Sequence, residues 1–328
     1  MTPTRCFSVN SQVSFNMAGA ILDAMRDVIS PPNVDYDEVK QSLFKYARSK
    51  EPVLRSNMNG LDVGTTRIKD LVNEVDERGN TAFHYAAKAG NLEMCKWLVD
   101  KGADIAARGQ NKMKALQFAA RYGDEHRVED VWKCIQWIME EYKRKESQRQ
   151  PKTTFRKEDK EPSYDVREKD KYDFTILHHA IQNTNWEECP VVVKNLIKSK
   201  EFKITDMDKQ GNTSLHLAAQ FDKQENHKVF DVFFNNEDID PADLKTCITT
   251  PNLQEMTPLH IACSIGNSDS VEQLLEASAE EDIEVQMKED ANGSVPLNLA
   301  IESKNKKMVQ TLIKKCEVSE NSILTAAR

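Results

Sequence analysis

A short phrase returns along this chain, and nothing else in the sequence constrains the fold as tightly. It reads Gly79-Asn80-Thr81-Ala82-Phe83-His84-Tyr85-Ala86-Ala87 and returns as Gly211-Asn212-Thr213-Ser214-Leu215-His216-Leu217-Ala218-Ala219. A third copy is Met256-Thr257-Pro258-Leu259-His260-Ile261-Ala262-Cys263. Weaker copies run Lys114–Ala120, Thr175–Ile181 and Val295–Ile301. A chain that repeats itself folds as stacked units, each of which cannot bury its apolar face alone. The first spacing, Thr81 to Lys114, is 33 residues; the later ones are 61, 38, 44 and 38. The later units therefore carry insertions.

Each position in the phrase has a physical task. Gly79 and Gly211 permit a positive φ in the turn before a helix. Thr81, Thr213 and Thr257 sit where a side-chain oxygen caps orphan helix N–H groups. Pro258 and Pro296 fall in the first helical turn, where a missing N–H costs nothing. The pairs Ala86-Ala87, Ala119-Ala120 and Ala218-Ala219 let neighbouring helices approach closely. A second helix follows as an apolar stripe: Leu92, Cys95, Leu98 and Val99, ended by Lys101-Gly102-Ala103-Asp104. Val271, Leu274 and Leu275, then Met308, Leu312 and Ile313, repeat the stripe.

The phrase resembles T-P-L-H-x-A, the signature of ankyrin repeats. That resemblance implies an all-α solenoid of about six helix-turn-helix units. The expected organisation is a flexible tail over 1–34 and a helical N-terminal cap over 35–75, with helices near Glu38–Arg48 and Thr66–Glu74. Repeats one and two span 76–140, a charged insertion 141–172, and repeats three to six 173–320. Residues 321–328 read as the truncated start of a seventh repeat, so the chain is expected to be part of a longer one or a truncated product. The insertion holds 19 charged residues in 32, 11 basic and 8 acidic. On that composition it reads as a solvated loop, or as a docking loop or electrostatic contact for acidic lipids or a partner. Its deletion is then expected to cost little stability.

Composition excludes several functions. The net charge of −8 leaves little basic surface for nucleic acid. No run approaches the roughly 20 apolar residues of a membrane helix. The 7 cysteines are scattered with no C-x-x-C pair, which fits a reducing, cytoplasmic setting better than a disulfide framework. Neither a cofactor nor a metal site is expected. His84, His178, His179, His216 and His260 tempt a metal reading, but the repeat holds them apart, and in this family the histidine bonds backbone in its own or the next turn. Gly60–Thr66 resembles a phosphate-contact phrase of actin-like ATPases, yet lacks the strand-and-helix context. Cys134 beside Lys133 and Cys316 beside Lys314 and Lys315 are the thiols with nearby cations; buried thiols are the default. The chain is expected not to be an enzyme.

An ankyrin array is a binding surface, with turn tips and first helices along one concave side. The expected contacts for a protein partner are Arg78, Asn80, Lys112, Lys209, Gln210 and Glu255. A further resemblance rests on Lys101-Gly102-Ala103-Asp104 and Asn111–Ala120. Together with Gly79–Ala86 they are similar to early repeats of the cytosolic region of TRPA-type transient receptor potential channels. This implies a cytosolic segment or short isoform of such a channel, at the inner face of the plasma membrane. Its partners would be a channel membrane domain, or copies of itself through a longer chain. The other reading is a free-standing cytosolic adaptor.

Overall fold

The computed structural model describes residues 36–49, 71–148, 163–183, 189–221, 229–280 and 289–315. These residues form helices, turns and two isolated β-bridges, Val75 with Thr81 and Arg108 with Lys114. The flexible tail, most of the second cap helix, Gly60–Thr66, Cys316 and the expected seventh unit lie outside them.

Helix α1, Tyr36–Ala47, precedes the repeats. The six units are then α2 (Ala82–Lys88) with α3 (Leu92–Asp100), α4 (Ala115–Tyr122) with α5 (Val128–Ser147), and α6 (Ile176–Ile181) with α7 (Cys189–Lys198). After these come α8 (Ser214–Phe221) with α9 (Val229–Phe234), α11 (Pro258–Ile265) with α12 (Ser268–Glu280), and α13 (Pro296–Glu302) with α14 (Lys306–Lys315). One extra helix, α10 (Pro241–Thr249), stands between α9 and α11. It has Asp240 as its N-cap and Pro241 in its first turn, and it packs on α8, α11 and α12. It accounts for the spacing of 44 between Thr213 and Thr257.

The first helices stack in series, α2 on α4, α4 on α6, α6 on α8, α8 on α11, and α11 on α13. Their contact faces are small: Ala86, Ala87, Ala119, Ala120, Ala180, Ala218, Ala219, Ala262 and Ala300 are all buried. The second helices form an outer layer, α3 on α5, then α7 on α9, α9 on α12, and α12 on α14. Larger side chains such as Phe83, Met94, Leu98, Leu116, Phe230 and Phe233 fill the space between layers. Burying each contributes about 1.5–3 kcal/mol against chain entropy. Helix α1 covers α2 with Leu43 and Ala47, and the Phe44 and Tyr85 rings meet edge-on at 6.0 Å.

The charged stretch is not a loop at its two ends. Helix α5 runs on to Ser147, and Tyr142 within it is completely buried. The Tyr142 hydroxyl donates to the Ile105 carbonyl at 2.8 Å, and its ring meets Tyr164 edge-on at 5.9 Å. On the far side Val166 and Asp170 are buried. Lys114, which replaces threonine at the start of the phrase, reaches the Ser163 carbonyl and the Glu168 carboxylate, each at 2.5 Å. Arg108 pairs with the other oxygen of Glu168. A high charge count misled the sequence reading because a few well-placed apolar and paired groups suffice to anchor both ends. Deleting 141–172 would remove Tyr142, Val166 and Asp170, so the small cost expected for that deletion does not hold. Tyr142→Phe is expected to cost about 1–2 kcal/mol in urea unfolding, because it strands a buried carbonyl. A change too small to resolve would mean the hydroxyl is replaced by water.

Candidate interaction surface

The surface is built by the turns that precede each first helix. In five of them an acidic or amide side chain folds the backbone locally. Asp76 Oδ1 accepts from the N–H groups of Arg78 and Asn80 at 3.0 and 2.9 Å. Asp170, Asp208, Asn252 and Asp290 do the same two and four residues ahead. Such side-chain-to-backbone turns pre-shape the loop. Each lies five residues before the capping position, a spacing readable in the sequence but absent from the repeated phrase itself. The second turn has Gly109 there. A Cβ on Gly109 would stand 2.3 Å from Asn80 Oδ1 and 2.9 Å from His84 Nε2, so no larger side chain fits without displacement.

Three histidines lock a turn to the next. The backbone N–H of Thr81 points at His84 Nδ1 at 3.2 Å, while His84 Nε2 lies 3.2 Å from the Met113 carbonyl. A backbone N–H only donates and a carbonyl only accepts, so the ring is neutral with its proton on Nε2. His178 bridges Thr175 and Asp206 in this way, and His216 bridges Thr213 and Met256. His260 accepts from Thr257 N–H at 3.1 Å. Gln117 does the task in the second unit, accepting from Lys114 N–H at 2.9 Å and donating to Glu168 and Phe174 carbonyls. Burial pushes the histidines down: His84 and His216 to about 4, His178 to about 3. The second histidine of the His178-His179 pair takes a separate partner, with Nε2 at 3.1 Å from Asp170 Oδ2.

Backbone bonds tie the tips into a ridge. Lys171 N–H donates to Asn111 O, Lys209 N–H to Tyr172 O, Leu253 N–H to Gln210 O, and Ala291 N–H to Gln254 O, at 2.9–3.0 Å. Asn80 Oδ1 begins the ladder by accepting Gln110 N–H at 3.0 Å. Asn80 is thus fully buried, and the expectation of it as a partner contact is corrected. Its short amide is spent on the turn behind it. Arg78, Lys112, Lys209, Gln210 and Glu255 are exposed on the turns. Lys209 Nζ donates to Lys171 O at 2.6 Å, and Gln210 Oε1 accepts from Asn212. Tyr172 and Leu253, 43% and 76% exposed at the tips, and Lys171 beside Tyr172 were not among the expected contacts. The signal for both was an apolar residue inside a turn segment.

Glu255 holds φ 58°, where Gly79, Gly211 and Gly293 hold 81°, 78° and 79° in the other turns. Glu255→Gly is therefore expected to stabilise the protein by about 0.5–1 kcal/mol, since a left-handed backbone strains a side chain with Cβ. A lower urea midpoint for the variant would contradict that.

Cys134 is completely buried, while its neighbour Lys133 is exposed and pairs with Asp130 at 3.3 Å. Cys95 and Cys263 are buried as expected, and Cys247 lies 3.4 Å from the Ile204 carbonyl. Among the described residues no helix is long and apolar enough to cross a membrane.

Stacked helix pairs with turns clamped to one another define a helical-repeat protein that presents a ridge of turn tips. A profile of three ankyrin repeats matches residues 133–243 and 235–322, more than half of the chain, and a profile of many ankyrin repeats matches 45–99 and 84–130. The chain belongs to the ankyrin-repeat family. It is 29% identical over 113 residues to a palmitoyltransferase akr1 of Emericella nidulans, covering 30% of this chain and 15% of that protein. It is 38% identical over 56 residues to the NAD-capped RNA hydrolase NUDT12 of Homo sapiens and of Macaca fascicularis, covering 17% of this chain and 12% of each. The chain thus spans a small fraction of the relatives it matches.

Proposed function

We propose that this chain is a non-enzymatic docking module of the cytoplasm whose turn-tip ridge holds another protein. One observation carries the reading: the six turns are tied together, and their tips present exposed basic and apolar side chains. Among the described residues Lys112, Lys171 and Arg78 make no ion pair, although the chain as a whole is acidic. Tyr172 and Leu253 add apolar area beside them. Aromatic and basic anchors flanked by polar contacts are what protein interfaces concentrate.

The test is a pull-down from native extract with the full chain and with Lys171→Glu/Tyr172→Ala. The variant should keep its melting behaviour, because both side chains are exposed, and lose the bound protein. Equal capture by both would refute the ridge as the contact.

The narrower channel reading is supported by the resemblance of Lys101–Asp104, Asn111–Ala120 and Gly79–Ala86 alone. It predicts a product far above 37.4 kDa in the membrane fraction, detected with an antibody to 141–172. A single soluble band near that mass favours the adaptor. Contact with acidic lipids through 141–172 belongs to the channel reading and would appear as vesicle co-sedimentation.

A further inference from the structure

A cleft of about 1340 Å³ opens where α1 meets the first turn and the end of α2. It exceeds the roughly 300–1,000 Å³ of a small-molecule pocket. Its lining holds five cations (Lys40, Lys45, Arg48, Arg78 and Lys88) and three carboxylates, Asp76, Glu77 and Asp124. Two of the carboxylates are already engaged. Asp76 takes the Tyr85 hydroxyl at 2.5 Å and the Arg48 guanidinium at 3.6 Å, and Asp124 accepts from His126 N–H. Lys40 pairs with Glu74 outside the cleft at 3.1 Å. At the mouth, Lys45 and Arg78 are exposed and make no ion pair among the described residues. The floor is aromatic: the Arg48 guanidinium lies 4.3 Å from the Tyr85 ring centre, beside Phe44. Val75 at the rim is 46% exposed.

We propose that this cleft is a second docking site, for a short acidic protein segment that carries an apolar side chain. Carboxylates of the segment would meet Arg78 and Lys45 at the mouth, and the Arg48 face beneath them. Its apolar side chain would lie against Val75 and the Tyr85 ring. The mixed lining argues for a peptide over an anionic membrane, because Glu77 and the recessed floor would meet a lipid headgroup plane poorly. The site rests on the reading of the chain as a docking module and shares Arg78 with the ridge, while the rest of its lining lies around α1 and the end of α2. It depends on α1, most of which precedes the residues matched to ankyrin repeats.

The experiment is fluorescence anisotropy of the full chain with a labelled peptide of alternating glutamate and leucine. A glutamine-for-glutamate peptide and phosphatidylserine vesicles are the comparisons. The glutamate peptide should bind and weaken with added salt. Arg78→Glu and Lys45→Glu should each weaken it roughly tenfold without changing the melting curve. Lys171→Glu/Tyr172→Ala on the ridge should leave it unchanged, which separates failure of this site from failure of the ridge. Equal binding of the glutamine peptide, an equal loss with the ridge variant, or vesicles that displace the peptide would overturn the proposal.

Discussion

Acidification from about pH 7 to about pH 5 is expected to remove several kcal/mol of stability, about 2 kcal/mol for each of His84, His178 and His216. The sign follows from the geometry. Each ring receives a backbone N–H at Nδ1, so a proton there would face another proton and break the bond that holds the ring to its own turn. Burial is the largest cause, and it drives the folded values to about 4, 3 and 4, below the ordinary 6.5. The unfolded chain therefore binds more protons between those values and about 6.5, and stability falls as pH drops through that window. His179 moves in the same direction by burial, although Asp170 opposes the shift. Urea midpoints at the two pH values check the magnitude. Proton uptake on unfolding, read from its dependence on buffer ionisation heat, should approach one per locked histidine. A flat profile, or proton release, would mean these rings are not held neutral.

Ala218→Glu is expected to cost about 4 kcal/mol or more. Ala218 is 1% exposed in α8, whose neighbours in the stack are α6 and α11. Stranding a buried charge costs about 3–5 kcal/mol, with overpacking added. Ala218→Gly serves as the mild control, at about 1 kcal/mol. The units form a stack joined by nearest neighbours, so the damage should spread to both flanking turns. Urea unfolding would show it as a lower midpoint, with amide exchange rising around Thr175 and Thr257. An effect under about 0.5 kcal/mol would place Ala218 off the helix contact.

The periodic part of this fold was legible because it rests on local chemistry. Thr81, Gly79 and Pro258 do in the structure what a turn and a helix start require of those residue types. The family resemblance implies histidines bonded to backbone in their own or the next turn, and His84, His178 and His216 make both bonds, whereas His179 takes the Asp170 carboxylate. What the phrase does not contain was harder to read. The Asx residues from Asp76 to Asp290 sit upstream of it, and α10 has no counterpart in the other units. Tyr142 and Lys114 gain their meaning only from Ile105, Ser163 and Glu168, which are distant in sequence. Asn80 illustrates the same limit on the surface. Beside Gly79 in a turn it reads as a tip residue, yet the neighbouring turn accepts its side chain and closes over it.

The central claim is that the ridge of turn tips is where a partner sits. A photocrosslinking amino acid placed at Tyr172 or Leu253, and for comparison at Lys306 on the outer helix α14, tests it most directly in native extract. The account predicts one discrete crosslinked protein from both tip positions and none from α14. The same product from all three positions, or from α14 alone, would contradict it.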